Sequence, residues 1–193
     1  MAQPTVMSQA RYTGVAIVLH WLVAVLVMAN LVIVWTVDYT PDSVGAVMIH
    51  THKSFGITVL GLAILRLLWR AGHAPPPLAG VSALERWGAH AAHALLYVLI
   101  FALPLSGWLE DSAWEGAAKN PTMLYGLVEW PHIGAIFTME PGAKERLHGV
   151  FETSHTVFGY ALYVLLALHL AGALKHQFVD RMPSLQRIWP GKA

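Results

Sequence analysis

Four long apolar runs, nearly free of charge, constrain this chain more than any other feature of its 193 residues. Gly14 to Val37 contains no charged side chain, and roughly 20 such residues, rising 1.5 Å each, cross a hydrocarbon core about 30 Å thick. Ala46 to Trp69, Ala89 to Leu109 and Gly149 to Leu174 have comparable length, with their ionisable residues gathered near the ends. The predicted fold is therefore all-α: a bundle of four transmembrane helices spanning 14–37, 46–69, 89–109 and 149–174, in one membrane domain over 1–193. Composition agrees, because 12% charged residues is about half the soluble norm. The first run far exceeds the roughly 7 to 15 apolar residues of a signal-peptide core, so it is read as a retained helix. Met123 to Met139 is broken by Glu129, Pro131 and His132, which suits an interfacial or re-entrant hairpin better than a fifth span. Pro104 predicts a kink in the third span.

Charge placement sets the expected orientation. Arg11, Arg66, Arg70, Arg86, Lys175, Arg181, Arg187 and Lys192 fall on the side of the termini, and the positive excess marks that side as cytoplasmic. The opposite side has four cations (Lys53, Lys119, Lys144 and Arg146) against nine acids, a formal charge of −5. Both termini are thus expected in the cytoplasm, with the long 110–149 loop exterior. A net charge of +1 provides no electrostatic footprint for nucleic acid.

The chain has no cysteine but eleven histidines. Thiolate clusters, cysteine zinc sites and covalent c-type haem are excluded, which leaves imidazole as the abundant strong metal ligand. Ionisable residues inside spans are costly and point to function, and four histidines fall at two matched depths. His20 and His169 lie about 9 and 8 Å from the cytoplasmic side, while His50 and His155 lie about 6 to 9 Å below the exterior side. His155 and His169, 14 residues apart, return to within roughly 40° of one helix face at about 21 Å separation. This register suits two b-type haems stacked across the bilayer, each clamped by two imidazoles. Such ligation leaves no open coordination position and favours electron transfer. Lys53 outside and Arg66 inside are placed to meet haem propionates. Trp21 and His176 are candidates for a quinone site. His52 is expected to point away from His50 on the same helix. His90 and His93 are weaker competitors for ligation, near the interface. Gly56, Gly61, Gly159 and Gly172 let helices approach closely, as ordinary membrane packing also requires.

Several segments carry a further resemblance: His20-Trp21, Ile49-His50, the RLLWR segment ending at Arg70, HAAHALLYVLIFALPLSGW from His90 to Trp108, and ETSHTVFGYALYVLLALHLAGALKH from Glu152 to His176. In these the chain resembles the bacterial cytochrome b561 family, four-helix di-haem cytochromes related to the cytochrome b subunits of nickel–iron hydrogenases. The resemblance covers nearly the whole chain. It implies His20 and His169 on a cytoplasmic haem, His50 and His155 on an exterior haem, ubiquinone as partner, and a bacterial inner-membrane location. Some members resemble superoxide oxidases, which implies a quinone-linked oxidoreductase. The acidic exterior loops work against superoxide as donor, since an anion is steered by positive potential, although the long loop has cations it can gather near the exterior haem. The expected function is single-electron transfer between an exterior donor, superoxide or a redox protein, and the quinone pool. Two alternatives stand beside it: a haem-containing anchor subunit of a periplasmic dehydrogenase or hydrogenase, and a haem-free metal or proton transporter. The transporter reading lacks the midplane acids such a path needs.

Overall fold

In the computed structural model, which describes residues 11–77 and 80–191, four long helices run antiparallel in chain order. They are α1 (Gly14–Thr36), α2 (Asp42–Gly72), α3 (Ala83–Ala113) and α5 (Pro141–Leu174). All four are long and apolar enough to cross a membrane. Only 6% of the apolar window of α5 is buried within the protein, and 22% at most in any of the four. Exposed Val15, Val25, Leu68, Val98, Val164 and Leu168 therefore require lipid, not water, as their solvent.

Each helix extends beyond its apolar core, and local chemistry sets its limits. Thr13 accepts the Ala16 amide at the start of α1. Ser82 and Glu85 form a reciprocal capping box at the start of α3, satisfying donors that the first helical turn leaves open. Pro141 opens α5, where its missing N–H costs nothing. Pro104 lies inside α3, which continues through it, as helices in membranes permit.

The first and last described segments meet at one end of the bundle. The Tyr12 amide donates to the Arg187 carbonyl at 3.1 Å, and Arg11 donates to the carbonyls of Trp189 and Gly191 at 2.7 and 2.8 Å. We call this the terminal end. At the opposite loop end, residues 114–140 form a cap containing a two-stranded antiparallel hairpin, β1 (Met123–Leu124) with β2 (Val128–Glu129), and the short helix α4 (Gly134–Phe137). Tyr125 and Gly126 carry the hairpin turn at positive φ. The cap is pinned to the helices: Ser54 accepts the Tyr125 amide, Ser112 the Ile133 amide, and Asp111 the Thr122 hydroxyl. The hairpin reading of this region thus has its counterpart in the fold. Midway along the bundle, Leu31, Leu99 and Leu162 form the buried apolar cluster.

Ser82→Ala removes the hydroxyl cap of α3 and should cost about 1 kcal/mol, measured as faster amide hydrogen exchange over residues 83–86 than in the unaltered chain.

Candidate functional site

Two groups of imidazoles lie on opposite sides of the leucine cluster. Toward the loop end, the rings of His52 and His155 face each other with centroids 6.0 Å apart. Toward the terminal end, His169 stands 6.5 Å from His20 and 5.3 Å from His93. Helix α5 supplies one histidine to each group, separated by about 21 Å at 1.5 Å per residue.

The loop-end pair lines a cavity of about 620 Å³, within the 300 to 1,000 Å³ of ligand and cofactor pockets. Its depth is apolar, with Leu31, Ile57, Val59 and Leu162 among the walls. Gly56 and Gly159 also line it, and a Cβ at either would meet nothing within 4 Å, so glycine there preserves open space. Gly107 acts differently. A Cβ on it would stand 3.1 Å from Cε1 and 3.3 Å from Nδ1 of His155, so the His155 ring rests directly on the α3 backbone.

The tautomer of His155 follows from its partners. Nδ1 lies 3.0 Å from the Leu103 carbonyl and 3.0 Å from the Ser106 hydroxyl, whose own proton goes to Leu103. A carbonyl only accepts, so Nδ1 carries the hydrogen and Nε2 keeps its lone pair. This is the arrangement that orients a ligating imidazole. His52 is half-buried and its Nδ1 is buried without a hydrogen-bond partner among the described residues. At the polar mouth of the cavity, Lys53 Nζ bonds Asp111 at 2.5 Å, and Glu110, Thr122 and His148 join the lining.

His50 stands apart from this cavity. It lies two residues from His52, hence about 200° around the helix, and it is His52, not His50, that faces His155. Equal depth did not separate the two. A sequence signal does: His52, Gly56, Val59 and Ala63 share one face by 4-3-4 spacing, and Val59 and Ala63 are two of the three buried residues of α2.

At the terminal end, Arg66 donates to His20 Nδ1 at 2.9 Å and to the Tyr97 hydroxyl at 3.0 Å. A guanidinium has no acceptor, so the His20 lone pair is on Nδ1 in this contact. His93, reached by α3, joins the level, whereas His90 is exposed. Trp21 touches His20 edge-on, and its indole N–H is spent on the Ile188 carbonyl at 2.8 Å. His176 sits in the final turn after α5 with Nδ1 2.7 Å from Asp180. Hydrogen bonds from Lys175 and then His176 hold the Asp180 carboxyl below its usual range.

Imidazoles sharing one iron place their ring centroids roughly 6 Å apart, from two metal–nitrogen bonds of about 2 Å and the ring radii. The His52–His155 and His20–His169 separations fit that span, and the 5.3 Å of His93–His169 is shorter. With its glycine-lined walls and a lone pair left on His155 Nε2, the loop-end cavity fits a haem.

Comparison with known proteins gives the same direction. Residues 11–191 match the family described as prokaryotic cytochrome b561. The chain is 32% identical over 181 residues to cytochrome b561 homolog 2 of Escherichia coli (strain K12), covering 92% of this chain and 90% of that protein. It is 27% identical over 187 residues to the probable superoxide oxidase CybB of Yersinia pestis, covering 94% and 97%. Cytochrome b561 homolog 1 of Escherichia coli is 25% identical over 187 residues, covering 93% and 97%. With four membrane-crossing helices and a family match over nearly its whole length, this chain belongs to the prokaryotic cytochrome b561 family, the b-type cytochromes of membrane electron transfer.

Proposed function

We propose that the chain is a di-haem cytochrome that moves single electrons between a donor at the loop end and ubiquinone, with the loop end exterior and both termini cytoplasmic in a bacterial inner membrane. The observation carrying this reading is the opposed His52–His155 pair, 6.0 Å apart in a cavity of about 620 Å³. Haem held there by His52 and His155 would supply reversible one-electron chemistry.

The protein's own residues divide the remaining work. His155 presents Nε2 because Leu103 and Ser106 hold Nδ1, and His52 supplies the opposite imidazole in place of His50. Lys53 has three donors; one serves Asp111, leaving others for a propionate. At the terminal end His20 and His169 are the second pair, on their 6.5 Å separation. Ligation through His20 Nε2 requires Arg66 to turn from Nδ1, which frees that guanidinium for a propionate. His93 then packs beside His169 as a positioning residue. Ubiquinone is the acceptor at this level, with Trp21, beside His20, and His176, in the turn after α5, as the candidate contacts.

Similarity to a probable superoxide oxidase supports superoxide as the donor. The loop end opposes it, since Lys53 is neutralised by Asp111 and acids outnumber cations there. A soluble redox protein with a basic docking face fits that field better.

The assignment is tested by pyridine haemochrome quantitation with reduced-minus-oxidised spectra on the purified full chain. Two haems b per chain are expected. His52→Ala should leave one haem and His50→Ala should leave two; the reverse result would return His50 to the ligand set, and a haem-free chain would overturn the cytochrome mechanism for this protein.

Gly107→Ala places a methyl against His155 and should lower the occupancy or broaden the low-spin spectrum of the loop-end haem, at a cost of about 1 to 3 kcal/mol from overpacking. Gly61→Ala, where a Cβ meets nothing within 4 Å, should leave both haems intact.

A further inference from the structure

Arg66 and Arg70 lie one helical turn apart on α2, with each guanidinium carbon 5.5 Å from the centroid of the Tyr97 ring on α3. Both line a cavity of about 60 Å³, together with Tyr97, Trp69, His73 and His93. At about 30 Å³ per water it has room for roughly two waters, the size of one phosphate or carboxylate group.

Two cations at the edge of a low-dielectric slab need a counter-charge. The chain has eleven acids, all among the described residues, and only Glu85 and Asp180 lie at the terminal end. Both are taken by Lys175, whose Nζ is 2.6 Å from Glu85 and 2.7 Å from Asp180. The proposed function gives Arg66 to a propionate. Arg70 is exposed, its guanidinium lies over the Tyr97 face, and no acid among the described residues pairs with it. Trp69 lies alongside, its indole N–H on Thr13 and its ring stacked on His73 at 3.9 Å. Aromatic and cationic side chains at a span end sit at headgroup height.

We propose that Arg70 and the cavity beside it form an oxyanion site that holds the phosphodiester of an anionic phospholipid in the leaflet at the terminal end. The site rests on the membrane-crossing fold and on the placement of charge, independently of haem at the loop end. Tyr97 keeps the two guanidinium groups apart and offers its ring to both. The phosphate takes the outer one.

The test is native mass spectrometry of the detergent-purified full chain, titrated separately with phosphatidylglycerol and with phosphatidylcholine. The unaltered chain should retain one phosphatidylglycerol. Arg70→Gln should weaken that retention about tenfold, the scale of losing one charge-assisted contact, with phosphatidylcholine binding unchanged. Arg70→Lys should recover part of the loss, and thermal unfolding checks that each variant is folded. Unchanged lipid retention in Arg70→Gln with a shifted haem midpoint potential would overturn the lipid assignment and identify a haem carboxylate as the anion. Unchanged retention and unchanged potential would overturn the oxyanion site itself. Haem content, measured in the same samples, reports separately on the di-haem reading.

Discussion

An imidazole held at membrane depth must satisfy two ring nitrogens where water is scarce, and the bundle is organised around that demand. Unpaired polar groups in hydrocarbon cost several kcal/mol. For His155 the solution is local: the Leu103 carbonyl and the Ser106 hydroxyl take Nδ1, and the glycine at 107 lets the ring lie against the α3 backbone. The other nitrogen is then committed in direction before any ligand arrives. Helix α5, carrying histidines 14 residues apart, repeats the problem near its other end. There the neighbours of His169 are the rings of His20 and His93, and Arg66 from α2 bonds the Nδ1 of His20.

The loop-end cap answers a related demand. Ser54 and Ser112 are among the most buried residues of the protein, and each turns its hydroxyl to a backbone amide of the 114–140 segment. Asp111, buried against Lys53 and Thr122, does the same for charge. Polar residues that look out of place at span ends are thus the seats of an irregular segment with few regular backbone bonds of its own. The cap in turn covers the polar mouth of the cavity.

The membrane-spanning architecture was legible in the sequence because charge-free length is a one-dimensional signal; Gly14 to Val37 needs no tertiary information. Depth along a helix was legible for the same reason, and it brought His20 and His169 to one level. Azimuth was harder to read. His50 and His52 differ by about 3 Å in height but by about 200° in facing, and α2 is apolar around much of its circumference, so polarity does not mark its inner side. The small-residue stripe through Gly56, Val59 and Ala63 marks it instead. The contact of Arg66 with His20 and the bonding of Ser54 to the hairpin depend on pairings distant in sequence, which no local pattern announces.

Leu31, Leu99 and Leu162 close the space between the two histidine levels, and Leu162 sits seven residues from both His155 and His169. Tightly packed side chains of this kind offer no polar partners for a chain of waters. Charge that passes between the levels traverses about 21 Å of a hydrocarbon core about 30 Å thick. It therefore feels about two-thirds of the transmembrane voltage, or roughly 1.6 kcal/mol for each 100 mV. The leucine layer makes the bundle a dielectric as much as a scaffold, and in the proposed di-haem cytochrome electrons crossing it would charge or discharge the membrane.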